Sequence, residues 1–161
     1  MKLASLLLFV CLLLPFSAVQ AETMPKPGIR DSCPVCGMFV HLYPEWLAVV
    51  SYKDGTCHFF DGVKDLFKYL YDMEKWATGR NTSAIEKIVV SDYYSLSGID
   101  ARKAFYVIGS DLLGPMGHEL IPFAVKEDAE VFYKDHKGTQ IVSFMMVDKQ
   151  LLQNLDKGNF K

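Results

Sequence analysis

The chain has 161 residues, half of them hydrophobic, and its 17 basic and 19 acidic side chains leave a net charge of −2. Lysines and carboxylates are interspersed along the chain, so the sequence lacks the basic patch that binds nucleic acid. Its length favours one domain, or two very small ones, with a hydrophobic core of its own.

The first residues have the composition of a secretory signal peptide. Lys2 supplies a short positive region, residues 3–16 are almost entirely apolar, and Ala21 ends a stretch with small residues at both cleavage-determining positions. Cys11 would suggest lipid attachment, but Val10 stands where a lipidated cysteine is preceded by a small residue. We therefore expect a signal peptide at residues 1–21, cleavage after Ala21, a periplasmic mature protein and no stable membrane insertion.

Next along the chain, residues 22–30 contain two prolines and a glycine and predict a flexible leader. Residues 31–92 then predict a first ββαβ unit, which we call the N-terminal unit. Its strands are expected at 46–52 and 56–60 around a hairpin turn, with a third at 85–90. Asp61 is expected to cap an amphipathic helix whose apolar positions are spaced by three and four: Val63, Leu66, Phe67 and Leu70.

Residues 93–161, the C-terminal unit, predict the same order of elements. Strands are expected at 104–108, 120–123 and 140–144, and a helix is expected at 126–136, ended by Gly138. The two units form a weak internal repeat, because they match in element order more than in residue identity. The predicted fold class is α+β, with two small ββαβ units that share a seam.

The cysteines give the first indication of function. Removal of Cys11 with the signal peptide leaves Cys33, Cys36 and Cys57 in an oxidising compartment. At most one intramolecular disulfide can form among three thiols, so one must stay free, pair with another chain or bind something.

Cys36, Gly37 and Met38 form a compact soft-donor motif. Gly37 has no side chain to obstruct a tight bend, so a thiolate and a thioether can turn to one side. Soft sulfur donors favour Cu(I), and a thioether neither protonates nor forms a disulfide. Met116 and His118 repeat the donor-glycine-donor pattern in a Gly/Pro loop. The four side chains together predict a three- or four-coordinate metal site.

Two other functions remain open for the cysteines. Cys33 and Cys36 could form a disulfide or a redox couple, although no tryptophan precedes them and no βαβ start surrounds them. A structural zinc site could add Cys57 and His58, but adjacent residues on a strand point to opposite faces. Cys57 alone is expected to be a small buried hydrophobe.

The remaining candidates favour ordinary structural roles. His41 could be a spare ligand, but its neighbours suggest a strand end, and His136 is expected at a helix C-terminus, where a cation is favoured. Met145 and Met146 are expected in the core. No hydrolase elbow, phosphate-binding loop or HExxH motif is present. We therefore expect no catalytic residues, no organic cofactor and no enzymatic activity.

The chain resembles the NosL family of nitrous oxide reductase accessory proteins over nearly all of its mature length. The resemblance lies in several segments that occur in the family's order: Cys36-Gly37-Met38, Phe60-Asp61-Gly62-Val63, Asp100-Ala101, and Pro115-Met116-Gly117 ahead of Pro122-Phe123-Ala124. It implies two ββαβ units similar to a domain of organomercurial lyase, a likeness of fold that confers no activity.

The resemblance also implies a role and a ligand set. The role is to bind Cu(I) and deliver it to the copper centres of nitrous oxide reductase, with a copper-donating or membrane transport component as a further partner. The family's ligands would be Cys36 and Met38, completed by Met116 and with His118 as an optional fourth. Family members are often lipoproteins, and the freely diffusing form expected here departs from that pattern.

Overall fold

A computed structural model describes residues 21–160 of the chain. The expected signal peptide, apart from Ala21, lies outside the described residues. Within the described part, no helix has the length and apolar character needed to cross a membrane.

The N-terminal unit contributes three strands to a four-stranded antiparallel sheet with the order β2-β1-β3-β4, and the fourth strand, β4, comes from the start of the C-terminal unit. A hairpin joins the first two strands, and two helices precede the third strand. The elements are β1 (Ala48–Tyr52), β2 (Cys57–Phe60), α1 (Val63–Tyr71), α2 (Met73–Trp76), β3 (Ile85–Ser91) and β4 (Gly98–Asp100).

The C-terminal unit is built on a three-stranded antiparallel sheet with the order β6-β5-β7. One helix connects its second and third strands, and another follows the sheet. The elements are β5 (Phe105–Ile108), β6 (Ile121–Phe123), α3 (Lys126–Asp135), β7 (Gln140–Ser143) and α4 (Lys149–Lys157).

Both sheets place the first strand of the unit between the second and the third. The expected order of strand, strand, helix and strand is therefore present twice, which confirms the mixed α+β fold. The units share a core: Phe67 of α1 packs edge-on against Tyr106 of β5, with ring centroids 5.7 Å apart. We propose, on this topology, that residues 31–92 and 93–161 are two halves of one folded body.

The pattern of burial explains why these segments become strands and helices. Three residues of β1 are fully buried, because this strand lies between β2 and β3 in the sheet: Ala48, Val49 and Val50. Leu66 and Phe67 are buried on α1, as the three-and-four spacing of apolar residues predicts.

Three expectations about local structure were not met in full. Asp61 does not cap α1, because the N-cap position is Gly62 and the Asp61 carboxylate has another partner. After α3, the Gly138 N–H donates to the Tyr133 carbonyl at 2.8 Å as an end cap, but Lys137 rather than Gly138 takes the left-handed conformation, with φ of 54°. Met145 and Met146 are 87% and 53% exposed and do not belong to the core.

Candidate metal centre

Residues 33–38 form a tight loop that turns two thiols toward the same place. The Cys33 N–H donates to the Met38 carbonyl at 2.9 Å, and the Gly37 N–H donates to the Cys33 carbonyl at 2.9 Å. Gly37 has φ of +80°, a left-handed conformation that favours glycine. The bend between Cys36 and Met38 therefore depends on this glycine, as the sequence predicted.

Two buried carboxylates face the thiols from the start of α1. The Cys36 thiol donates to Asp61 Oδ1 at 3.1 Å, and the Cys33 thiol donates to Asp65 Oδ2 at 3.5 Å. One ligand atom from each of these four residues lies within 4.8 Å of the others. Neither carboxylate was predicted as a site residue, although their four-residue spacing at a predicted helix start was a signal for a shared face.

The surroundings of the thiols keep them protonated. Burial raises the pKa of Cys33 to about 12, against the lowering effect of the Cys36 and Val35 N–H groups, and the Asp65 charge raises it further. Burial also raises the pKa of Cys36, opposed by the Met38 N–H. Since a metal binds thiolate and not thiol, a metal ion must displace these protons.

The N-terminus of α1 is capped from the C-terminal unit. Glu119 Oε2 accepts the Lys64 N–H at 2.8 Å, although the two residues are 55 positions apart. Glycine at position 62 leaves room for this carboxylate, because a Cβ there would lie 2.5 Å from Glu119 Oε1 and would displace it. Burial raises the pKa of Glu119 to about 8.

The loop around Met116 is tied to the same end of α1. Gly114 and Gly117 exchange main-chain hydrogen bonds of 2.8 and 3.1 Å, which close the loop on itself. The buried Lys64 side chain then donates from Nζ to the Met116 carbonyl at 2.8 Å. The Met116 side chain remains 42% exposed beside this anchored backbone.

The four predicted ligands therefore have different surroundings. Cys36 belongs to the cluster of thiols and carboxylates, and Met38 lies half-buried in the same loop. Met116 is joined to α1 through Lys64, as described above. The His118 ring packs edge-on against Phe160, with ring centroids 4.7 Å apart, and so contacts the C-terminal end of the chain.

The other candidates have separate partners. Cys57 Sγ lies 3.6 Å from Ser51 Oγ and is half-buried rather than fully buried. His58 Nδ1 lies 2.6 Å from the Tyr69 hydroxyl. Cys57 and His58 thus face different neighbours, as expected for adjacent strand residues, and the metal-compatible cluster of the described residues contains neither.

The two remaining histidines also differ. His136 stacks on Phe132, with ring centroids 4.2 Å apart, and its Nδ1 lies 3.1 Å from Asp111 Oδ1, which agrees with an ordinary role at a helix end. His41 Nδ1 is buried and lacks a hydrogen-bond partner within residues 21–160.

Two antiparallel sheets, with a cluster of thiols and carboxylates that could hold a metal ion where the first helix begins, define a mixed α+β protein with a candidate metal centre. The model of the NosL family matches residues 26–152, and this chain belongs to that family. The resemblance inferred from the motifs is confirmed.

Individual relatives agree with this assignment. A relative from Stutzerimonas stutzeri, named copper-binding lipoprotein NosL, is 32% identical over 129 residues, which are 76% of this chain. The match covers 65% of that relative's length. The crystal structure of the copper chaperone NosL from Shewanella denitrificans matches 83% of this chain and 98% of its own, with 25% identity and a TM-score of 0.66. These names describe copper-binding proteins and chaperones rather than enzymes, in agreement with the expectation that the chain is not an enzyme.

Proposed function

We propose that this chain is an exported Cu(I) chaperone that delivers copper for assembly of the copper centres of nitrous oxide reductase. One observation carries the proposal. The half-buried Cys36 of the 33–38 loop lies at the N-terminal end of α1, and Lys64 anchors the loop around Met116 to that same end. The names of its relatives support a copper cargo. Delivery to the reductase rests on the family resemblance.

Cys36, Met38 and Met116 are the proposed sulfur ligands. A thiolate supplies affinity, and thioethers add selectivity for a soft monovalent ion over harder competitors. Cys36 and Met38 are half-buried, and Met116 is exposed. A partner can therefore approach the bound ion and remove it by ligand exchange, one sulfur at a time.

His118 is the proposed fourth ligand. Its ring packs edge-on against Phe160, so binding copper through His118 would exchange that aromatic contact for a metal bond. The proposal therefore predicts that copper loading changes the environment of Phe160. A chemical shift change of the Phe160 ring on loading would support His118 as a ligand, and an unchanged ring would restrict the site to the three sulfurs.

The raised pKa of Cys36 has a consequence for copper uptake. The metal-free thiol is protonated, and a thiol is far less readily oxidised than a thiolate, so the empty chaperone is protected. Copper binding must release that proton, so the apparent Cu(I) affinity should rise with pH.

Export and location form a separate part of the proposal. We infer cleavage after Ala21 and a soluble periplasmic chaperone, whereas the relative from Stutzerimonas stutzeri is a lipoprotein. The mass of the exported protein distinguishes these outcomes, because a chain that begins at Glu22 has no attached lipid. A lipid-modified mature chain would contradict the inference.

The decisive experiment is an anaerobic Cu(I) titration of the reduced mature protein against a chromophoric Cu(I) chelator. We expect one Cu(I) per chain, lost in Cys36→Ser and weakened in Met38→Leu and Met116→Leu. Met145→Leu is the matched control, because Met145 is an exposed methionine outside the proposed ligand set. A wild type that cannot compete with the chelator, or a triple variant with full affinity, would refute the copper site.

The structure disfavours thiol-disulfide exchange as the function of Cys33 and Cys36. An attacking thiol needs a lowered pKa, and here burial raises the pKa of both groups. We therefore expect no insulin reduction by the reduced protein. Reduction that disappears in Cys33→Ser would instead support the oxidoreductase.

A further inference from the structure

Lys64 is a buried lysine whose charge lies between the Met116 loop and the C-terminal helix. Its side chain is 2% exposed, although lysine is almost never fully buried without a partner. Nζ donates to the Met116 carbonyl at 2.8 Å and lies 3.2 Å from Asp156 Oδ1 of α4. We propose that Lys64 is a positioning residue of the copper site, which holds the Met116 thioether within reach of an ion on Cys36, and that Asp156 holds Lys64 in place. This inference rests on the proposed copper function.

The Met116 loop needs such an anchor because its side chains are poorly packed. Leu113 and Met116 are 56% and 42% exposed, so packing restrains neither of them firmly. The hydrogen bonds between Gly114 and Gly117 close the loop on itself and do not join it to a neighbouring element. The Lys64 ammonium supplies a bond to α1, and a fixed carbonyl at residue 116 restricts the positions that the Met116 sulfur can reach.

The same end of α1 also contacts the thiol ligand. Asp61, three residues before Lys64, accepts the Cys36 thiol at 3.1 Å. The Lys64 main chain is itself fixed, because its N–H donates to Glu119 Oε2 at 2.8 Å. One connection therefore leads to Cys36 and the other to Met116, and both begin at a single helix end. Loss of the Lys64 side chain should free the Met116 loop and leave Cys36 in place.

Asp156 supplies the charge that a buried ammonium requires. An ammonium group removed from water without a counter-charge is costly, and Asp156 provides that counter-charge from α4. The same Asp156 Oδ1 lies 2.9 Å from Lys68 Nζ. Within the described residues, the ion pairs of Lys68 join it to Asp65 and Asp156, and neither of these belongs to the Met116 loop. Lys68 therefore shares the ion pair with Lys64 but lies outside the connection to Met116.

A double-mutant cycle on Cu(I) affinity separates positioning from a general role in folding. The reduced mature chain is titrated against the chromophoric chelator as wild type, Lys64→Leu, Met116→Leu and the double variant. Lys64→Leu should weaken Cu(I) binding by about 10-fold or more, the range typical of a residue that holds a metal ligand in place. If Lys64 acts through Met116, the double variant should bind copper no more weakly than Met116→Leu alone. Effects that multiply would show that Lys64 acts elsewhere and would overturn the proposal.

Methyl NMR of methionine-labelled chains supplies a readout that a purely structural role would not change. Copper loading should shift the methyl signals of Met38 and Met116 in the wild type. In Lys64→Leu the Met38 signal should still shift, and the Met116 signal should stay near its metal-free position. Lys68→Leu is the matched control and should behave as the wild type in both measurements. A full Met116 shift in Lys64→Leu would overturn the positioning role.

Asp156→Asn is the second variant, because Asp156 is 43% exposed and its substitution does not open the core. It should weaken Cu(I) binding by about threefold, as expected for a partly exposed ion pair, and should have no effect in Met116→Leu. Glu127→Gln, which changes an exposed carboxylate in α3, should leave the affinity unchanged. If Lys64→Leu does not fold by circular dichroism, wild-type affinity in Asp156→Asn would overturn the proposal.

Failure of the inference differs from failure of the proposed function. A wild type that binds one Cu(I), with equal affinity in Lys64→Leu, would remove the positioning role and leave the chaperone in place. A wild type that binds no copper would remove the chaperone and the positioning role together.

Discussion

Replacement of Glu119 by glutamine should change how stability depends on pH. The carboxylate is fully buried between the two units and accepts the Lys64 N–H at 2.8 Å. Its other oxygen, Oε1, has no partner in the described part of the chain. Burial raises its pKa from 4.5 to about 8, so the folded chain holds a proton that the unfolded chain releases near pH 4.5.

The size and sign of the effect follow from this difference. Below pH 4.5 the group is protonated in both the folded and the unfolded chain, so its titration does not lower the free energy of unfolding. Above that pH only the folded chain keeps the proton, and each pH unit lowers the free energy of unfolding by about 1.4 kcal/mol. Between the unfolded pKa and the folded pKa, a range of roughly 3.5 pH units, the free energy of unfolding therefore falls by about 5 kcal/mol. Above the folded pKa it falls no further through this group.

Glu119→Gln removes the titration but keeps the shape and the acceptor for Lys64. Its free energy of unfolding should match that of the wild type near pH 4.5 and exceed it by about 3 kcal/mol at pH 7. Urea unfolding of the reduced, metal-free protein, followed by tryptophan fluorescence at several pH values between 5 and 8, measures the difference. Glu127→Gln should follow the wild type throughout. A difference between Glu119→Gln and the wild type that does not change with pH would refute the reasoning.

Two further substitutions test packing and hydrogen bonding by chemical denaturation. Gly62→Ala should lower the free energy of unfolding by about 1–3 kcal/mol, because the added Cβ would lie 2.5 Å from Oε1 of the buried Glu119 side chain. Gly28→Ala, whose Cβ meets only an ordinary contact of 3.5 Å, should change it by less than about 0.5 kcal/mol, and equal losses would contradict the steric argument. Tyr106→Phe should cost about 1–2 kcal/mol by leaving a main-chain carbonyl without its buried donor, whereas the exposed Tyr94→Phe should cost almost nothing. Similar midpoints for the two tyrosine variants would show that the buried hydroxyl contributes no stability.

Much of the local structure could be predicted because its signals are local. The alternation and spacing of apolar residues located β1, β2, α1, β3, β5, β6, α3 and β7 to within a few residues. Helix α4 was missed, although Asp148 caps its start and Gly158 ends it in the left-handed conformation. Those capping signals were present in the sequence and were not used.

The misassigned role of Asp61 shows where local rules stop. An aspartate just before an amphipathic helix usually caps it, but this carboxylate accepts the Cys36 thiol. The capping role passes to Glu119, which reaches α1 from a distant part of the chain. Neither partner is close in sequence, so helix-capping rules could not identify either contact.

The sequence alone determined most of the order of elements and the family, because strand and helix periodicities and the family's motifs lie in short segments. The predicted donors Cys36, Met38 and Met116 come from the same short segments. Only the tertiary structure decided that two buried aspartates face the thiols, that Lys64 anchors the second loop and that His118 rests on the C-terminal end. These contacts join residues tens of positions apart, and packing of the two units brings them together.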